Sequence, residues 1–267
     1  MMPEMLTHGF MQRAFLSGLL SASALSLVGV YIVLKRMSNI GEGLSQMAFA
    51  GIAVGILAGL APMPFALAAA FIGVLLIQYM KGAFQVYGEA AVQILCAGGF
   101  ALGVVLVSAS SGFNVNLMSY LFGSLLSVND GDLMFIAALT AVTFITIAWL
   151  NRKLTYIAFD EESARVAGLP VDRLNLLLLF LTAVSVVAGM KVVGILLVSS
   201  LLVVPAAAAI HLARSFRQTI ILSVAYAMTS VIVGLTLAYY LNLAAGGTVA
   251  LTQVVLFFAT LALAKKG

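Results

Sequence analysis

Hydrophobic residues occupy long continuous runs along this chain, and polar positions are confined to short breaks between the runs. A helix needs about 20 mostly apolar residues to cross a bilayer. The pattern therefore predicts nine membrane-spanning helices, at residues 14–34, 44–60, 63–80, 90–108, 132–150, 174–190, 192–210, 219–241 and 248–264. A shorter apolar segment, 117–128, cannot cross, and it predicts a short re-entrant or interfacial helix on the extracytoplasmic side.

Composition agrees with this pattern. The 267 residues are 63% hydrophobic and only 8% charged, whereas a soluble domain carries roughly 25% charged residues. Lipid must therefore be the solvent for most of the surface. The nine predicted helices leave almost nothing for another domain, so we expect an all-α polytopic membrane protein with one transmembrane domain over residues 1–267.

The basic residues predict an orientation, because Lys and Arg concentrate in cytoplasmic loops. If loop 151–173 is cytoplasmic, eleven basic residues lie inside and only Arg13 and Lys191 lie outside. The N-terminus is then outside and the C-terminus cytoplasmic. The net charge of +4 is explained by this topology, and no basic patch interleaved with aromatic residues indicates nucleic-acid binding.

Two features of the predicted helices concern packing. Gly51, Gly55 and Gly59 recur every four residues along the second helix, which predicts one bare face that a neighbouring helix can approach closely. This face either lines a pathway or simply packs tightly. Pro205 lies inside the seventh helix and is expected to kink or break it.

The loop between the fifth and sixth predicted helices reads as a short helix at 160–168. Asp160 is a favourable N-cap, and Glu161 and Glu162 place negative charge in the first turn. Gly168 is suited to a left-handed C-cap. Small residues, among them Ala164, form one side, and Arg165 lies beside them. Such a helix either docks into a groove of a soluble partner or is an ordinary surface helix.

Three segments, taken together, are typical of one group of transport proteins. They are Leu34–Gly51, which reads LKRMSNIGEGLSQMAFAG, Tyr120–Ser124, and the run from Val193–Val198 through Pro205–Ala208. With the loop helix, they resemble the ABC-3 family of zinc, manganese and iron uptake permeases over nearly the whole chain.

The resemblance implies an assembly. Two permease copies form the pathway, a cytoplasmic ABC ATPase dimer drives it, and an extracytoplasmic metal-binding protein delivers a divalent metal for import. Segment 160–168 is then the coupling helix. The chain has no Gly-x4-Gly-Lys-Ser/Thr phosphate-binding loop. We therefore expect no catalysis and no bound cofactor in this chain, with ATP hydrolysed by the partner.

One motif departs from the family. The family usually has Gly-Asp-x-Leu-Ser-His at the start of the second helix, and Glu42 and Gln46 occupy the Asp and His positions here. Residues four apart face the same side of a helix, so the resemblance implies a metal site at this pair. Without the imidazole, oxygen ligands favour manganese over zinc. The alternative is that both residues cap the helix at the membrane boundary.

Other candidates are weaker. Glu89 and Gln93 repeat the four-residue spacing, as a second polar turn or as interfacial charge. The histidines, His8 and His211, form no ligand pair, and Cys96 cannot form an intrachain disulfide. An ion-coupled secondary transporter remains the alternative function, although it normally requires midplane charges and related halves.

Overall fold

The computed structural model describes residues 9–83, 88–109, 120–123 and 128–264. Ten helices account for nearly all of these residues, and no strand occurs among them. The helices are α1 (Gly9–Leu34), α2 (Ile40–Leu57), α3 (Pro62–Ala83), α4 (Gly88–Ala109), α5 (Asp130–Phe159), α6 (Glu161–Val166), α7 (Val171–Val193), α8 (Val198–Leu212), α9 (Phe216–Leu241) and α10 (Ala245–Ala264).

All helices except α6 coincide with the nine predicted spans, which confirms the predicted fold class. Eight of them in the described part of the chain are long and apolar enough to cross a membrane. The exception is α8, which has 15 residues. The predicted span 192–210 begins too early, because α7 continues to Val193 and the chain then turns at Gly194, whose φ is 95°.

Helices α1, α2 and α7 form the centre of the bundle. About four fifths of the apolar window of each is buried, against about one third or less for the other five long helices. These central helices contain buried hydroxyl groups. The hydroxyls of Ser17, Ser21 and Thr182 donate to backbone carbonyls of their own helices. Local bonding of this kind satisfies a polar group where no water is available.

The glycines of α2 serve two purposes. A Cβ at Gly51 would lie 2.3 Å from the Phe65 carbonyl oxygen, and one at Gly55 would lie 2.9 Å from the Pro62 Cα, so both allow α3 to approach. The prediction was wrong for Gly59. This residue lies beyond the end of α2 with φ 66°, and no atom is within 4 Å of a Cβ there. The Gly59 amide donates to the Ile56 carbonyl, and the Leu60 amide donates to the Gly55 carbonyl. These two bonds with a left-handed glycine form a helix C-cap.

The turn between α1 and α2 has the same capping geometry with a less suitable residue. Arg36 has φ 58°. Its amide donates to the Val33 carbonyl at 3.0 Å, and the Met37 amide donates to Ile32 at 3.0 Å. The left-handed conformation costs a residue with a Cβ roughly 1–2 kcal/mol, so strain is present in this turn.

Replacing Arg36 by glycine is expected to raise the free energy of unfolding by about 1 kcal/mol, because glycine adopts φ near 60° without strain. Thermal unfolding in detergent measures the change. Arg36→Ala is the matched control, since it removes the charge and keeps the Cβ. If the alanine variant is stabilised as much as the glycine variant, charge repulsion rather than backbone strain is being relieved.

Pro205 does not break its helix. Helix α8 runs through it from Val198 to Leu212, and the irregular backbone lies earlier, at residues 194–197. Proline cannot donate to the carbonyl four residues before it, but the neighbouring helical bonds are sufficient to continue the helix.

Irregular backbone segments meet at one end of the bundle. The amides of Ile195 and Leu196 donate to the carbonyls of Tyr120 and Leu121, at 2.9 and 3.3 Å. Gly246 of α10 packs on both segments, since a Cβ there would lie 1.8 Å from the Val193 carbonyl oxygen. Of the predicted re-entrant helix 117–128, only residues 120–123 and 128 are described, and residues 120–122 form a helical turn.

Ion pairs define the two ends of the bundle. Arg13 pairs with Asp130 at 3.1 Å, and Lys191 of α7 pairs with Asp132 of α5. We call this the Arg13 end. At the opposite end Lys35 pairs with Glu161 at 2.8 Å, and we call this the Lys35 end.

Candidate functional site

Helix α6 lies at the Lys35 end and is closed at both termini. The Asp160 carboxylate accepts from the Ser163 amide at 2.9 Å and from the Ser163 hydroxyl. The hydroxyl and amide bonds hold the pKa of Asp160 below its usual value, so the cap is present at neutral pH and is lost only when strong acid protonates the carboxylate. Gly168 has φ 81°, and the Leu169 amide donates to the Ala164 carbonyl at 3.1 Å.

Helix α6 is shorter than predicted and faces differently. It has six residues rather than the two or three turns expected for 160–168. Ala164 is fully buried against the rest of the chain, so it does not belong to an outward small-residue face as predicted. The outward position is Val166, whose surface is 90% exposed. The sequence did not predict the exposure of Val166, because the direction in which a six-residue helix faces depends on the helices beneath it.

Glu161, the first residue of α6, joins three elements. One carboxylate oxygen accepts from the Lys35 ammonium at 2.8 Å, and the other accepts from the Asn175 amide of α7 at 2.9 Å. The Lys35 ammonium also donates to the Asn175 carbonyl oxygen at 2.7 Å. Partial burial raises the pKa of Glu161, but the hydrogen bond and charge of Lys35 outweigh this, and the pKa lies below its usual value.

A second ion pair holds the other end of α6. Arg165 donates to both carboxylate oxygens of Asp172 on α7, at 3.3 and 2.9 Å. Both side chains are more than half exposed. The hydrogen bonds and charge of Asp172 raise the pKa of Arg165 above its usual value, so Arg165 stays charged throughout the physiological range.

A cavity of about 530 Å³ with a mixed polar and apolar wall opens beside these ion pairs. It lies between the α1–α2 turn, the end of α3, and the starts of α4 and α7. Charged residues of both signs contribute to its wall, namely Lys35, Arg36, Lys81, Glu89, Glu161 and Asp172. Glu89, one of the weaker sequence candidates, therefore lines this cavity at the bundle end.

Glu42 and Gln46 lie in the first two turns of α2, next to this end. Glu42 is exposed, and Gln46 is only 6% exposed. The side-chain oxygen of Gln46 is buried, and no hydrogen-bond donor reaches it among the described residues. Buried polar atoms are nearly always paired, so this carbonyl oxygen has a free lone pair at the position where the sequence predicts a metal ligand.

Helices α2 and α4 pack closely and run in parallel. Gly43 contacts Val92, and a Cβ at Gly99 would lie 2.8 Å from the backbone of Gln46. Glu42, which precedes Gly43, and Gln93, which follows Val92, flank this contact, and both are exposed. An acidic and an amide side chain therefore share one surface of the bundle.

The described part of one chain does not hold a complete metal site. No group of three or more His, Cys, Asp or Glu side chains there is arranged to bind an ion. Divalent cations take at least four ligands. Glu42 and Gln46 could contribute only part of a coordination shell.

Comparison with known proteins identifies the family. The model of the ABC 3 transport family matches residues 7–264. The chain belongs to the ABC 3 transport family. One relative of this ABC 3 protein is a probable metal transport system membrane protein of Treponema pallidum (strain Nichols), 34% identical over 98% of both chains.

Two further matches extend this result. The high-affinity zinc uptake system membrane protein ZnuB of Haemophilus influenzae is 30% identical over 93% of the ABC 3 chain and 95% of the relative. In the solved structure of PsaBC from Streptococcus pneumoniae in complex with Fab, a chain 28% identical superposes with a TM-score of 0.88, covering 97% of this chain and 95% of that one. The resemblance found in the sequence is thereby confirmed, and the chain is a multi-pass membrane protein of a transport family.

Proposed function

We propose that this chain is the membrane-spanning permease subunit of an ATP-driven importer of a divalent transition metal. The observation that carries the proposal is the combination of family membership over residues 7–264 with a capped, outward-facing helix α6 at one end of the bundle. Relatives named as zinc and metal transport proteins support metal as the cargo. The chain supplies the pathway, and a partner supplies ATP hydrolysis.

The ion pairs support the proposed orientation. Arg13 and Lys191, the two basic residues assigned outside, are paired with acidic residues at the Arg13 end. Basic residues assigned to the cytoplasm, such as Lys35 and Arg165, lie at the other end. We therefore place the Lys35 end in the cytoplasm of a prokaryotic cell, with the N-terminus outside the inner membrane and the C-terminus inside.

Helix α6 is the proposed contact with a cytoplasmic ATPase dimer. Val166 is 90% exposed and Phe159 is 64% exposed on this polar end of the molecule. The hydrogen-bonded network at Glu161 fixes the helix to Lys35 at the end of α1 and to Asn175 of α7, so force applied at Val166 passes to both. The coupling surface is then centred on Val166 and Glu162, and Ala164 anchors the helix from beneath.

A second copy of the chain is the proposed cover for the face of α2 and α4. Glu42 and Gln93 are exposed there, beside apolar residues such as Ile94 and Val105, which are 56% and 63% exposed. Polar side chains facing lipid are costly and normally face a partner or a hydrated path. Two copies would bring two Glu42 carboxylates and two Gln46 amides toward one axis.

The proposed ligands suit a hard cation. A carboxylate and an amide provide oxygen only, and oxygen ligands suit manganese better than zinc, which favours nitrogen and sulfur. We therefore propose manganese as the preferred cargo, released to the cytoplasm after delivery by an extracytoplasmic metal-binding protein.

Replacing Val166 by aspartate tests the coupling surface. If the ATPase covers Val166, binding would bury the new carboxylate in an apolar contact, which costs free energy. We therefore expect at least about a tenfold weaker association with the partner ATPase, equal to about 1.4 kcal/mol. Co-purification and ATPase activity in nanodiscs measure it. Leu243→Asp is the matched control, because Leu243 is 52% exposed at the opposite end. Equal losses in both variants, or none in Val166→Asp, would reject α6 as the contact.

A further inference from the structure

The Lys35 end contains a closed network of three polar side chains from three different elements. We propose that Lys35 is a positioning residue that transmits the displacement of α6 to α2, the helix that carries Glu42 and Gln46. The inference rests on the proposed function, since it assigns a route between the ATPase contact and the pathway. Its parts are the Lys35–Glu161 ion pair, the Asn175 bridge and the α1–α2 turn.

The ion pair is held from both sides. The Lys35 side chain is only 6% exposed. Its ammonium donates to Glu161 at 2.8 Å and to Asn175 at 2.7 Å, and the Asn175 amide donates back to Glu161 at 2.9 Å. A largely buried ammonium cannot leave its partners without losing compensation for its charge. Lys35 must therefore follow Glu161 when α6 moves.

The turn after Lys35 carries this movement to α2. Backbone hydrogen bonds hold the turn on both sides of Met37. On the near side, the Arg36 amide donates to the Val33 carbonyl and the Met37 amide donates to the Ile32 carbonyl, each at 3.0 Å. On the far side of the turn, the Ile40 amide donates to the Met37 carbonyl at 3.1 Å, and the Glu42 backbone amide donates to the Asn39 carbonyl at 3.2 Å. A hydrogen-bonded turn of this length moves as a unit. A shift at Lys35 therefore displaces the first turn of α2, where Glu42 lies.

The strain at Arg36 is consistent with this role. A left-handed arginine, with φ 58°, makes the turn adopt one geometry at a cost that glycine would avoid. Gly41 and Gly43 follow it, and they bring the start of α2 against Leu202 and Val92. The displaced turn consequently acts on α8 and α4 as well as on Glu42.

The second ion pair of α6 provides the matched control. The Arg165–Asp172 pair connects α6 to α7, and its two side chains are 59% and 68% exposed, whereas the Lys35 side chain is 6% exposed. Exposed pairs of this kind contribute little to stability. If both ion pairs on α6 contributed equally to coupling, loss of this one would have the same effect as loss of Lys35.

The experiment measures manganese ions transported per ATP hydrolysed by the complete transporter, full-length permease plus its ATPase, in proteoliposomes. We expect Lys35→Met to lower this ratio at least about fivefold, the lower end of the range for coupling between sites, while basal ATP hydrolysis persists. Lys35→Arg should restore most of the ratio. Asp172→Asn should change it less than about twofold, since the exposed pair is not part of the route.

Three results would overturn the inference: an unchanged ratio in Lys35→Met, an equal loss in Asp172→Asn, or no rescue by arginine. If Lys35→Met does not fold, Glu161→Gln is assayed instead, because it keeps the side-chain shape and removes the charge. The same fall in the ratio of manganese transported to ATP hydrolysed is expected, and an unchanged ratio would again overturn the inference. A wild-type complex that fails to move manganese, zinc or iron would contradict the proposed function itself. If the wild-type complex transports metal and Lys35→Met has the same ratio of metal transported to ATP hydrolysed, only the coupling route is contradicted.

Discussion

Replacing Glu42 by alanine is expected to lower manganese uptake at least about tenfold. Glu42 is exposed in the first turn of α2 and precedes by one helical turn the unpaired oxygen of Gln46. It supplies the only negative charge of this candidate pair. Removing even an outer partner of a metal ligand typically costs 10–100-fold in affinity or activity, so loss of a charged ligand should cost no less. Radioactive manganese uptake by cells that lack other manganese transporters measures the effect.

Two variants separate a ligand from a helix cap. Glu42→Asp keeps the carboxylate and should retain part of the uptake. Glu89→Ala removes an exposed acidic residue from the first turn of α4, outside the proposed ligand pair, and should leave at least half of the uptake. Full uptake in Glu42→Ala would reject the metal role of this residue and leave Glu42 as first-turn charge that favours the helix N-terminus.

Replacing Gly246 by alanine should be among the most destabilising single-methyl additions in the chain. The new Cβ would lie 1.8 Å from the Val193 carbonyl oxygen and 2.5 Å from that of Phe122. Both obstacles are backbone, so no side chain can rotate away. Overpacking usually costs 1–3 kcal/mol and occasionally more; we expect about 3 kcal/mol or greater loss in the free energy of unfolding. Thermal unfolding in detergent, followed by size-exclusion chromatography, measures it.

The neighbouring glycine is the control. Gly247 is also in the first turn of α10, and no atom lies within 4 Å of a Cβ there. Gly247→Ala should be neutral or stabilising by up to about 1 kcal/mol, because alanine is the better helix former. Equal destabilisation by both substitutions would show that α10 does not pack on the irregular segments at the Arg13 end as described.

Strong local signals predicted the helices reliably. Among the described residues, the apolar runs located the eight long helices and α8, and the cap residues Asp160 and Gly168 located α6. Hydrophobicity and capping are properties of the sequence within a few residues. The boundary near Gly194 was misplaced because apolar residues continue on both sides of it. There the chain turns in response to Tyr120 and Leu121, which are more than 70 residues away.

Residue roles at the candidate site were only partly predictable. The four-residue spacing of Glu42 and Gln46 could be recognised from the sequence. Their different exposure and the unpaired Gln46 oxygen depend on how α4 packs against α2. Likewise the sequence favoured Ala164 for an outward face. The structure instead buries Ala164 and exposes Val166, because α6 is anchored through Lys35 and Asp172.

The sequence by itself determined that this is an all-α polytopic membrane protein, and its motifs indicated the ABC 3 family. Lipid solvation demands long apolar helices whatever their arrangement, so composition and run length suffice for that conclusion. Only the tertiary structure decided which helices are central, that Gly59 caps rather than packs, and that Lys35 joins α6 to the start of α2. These features depend on contacts between residues far apart in sequence, such as the 126 positions between Lys35 and Glu161, and no local pattern encodes them.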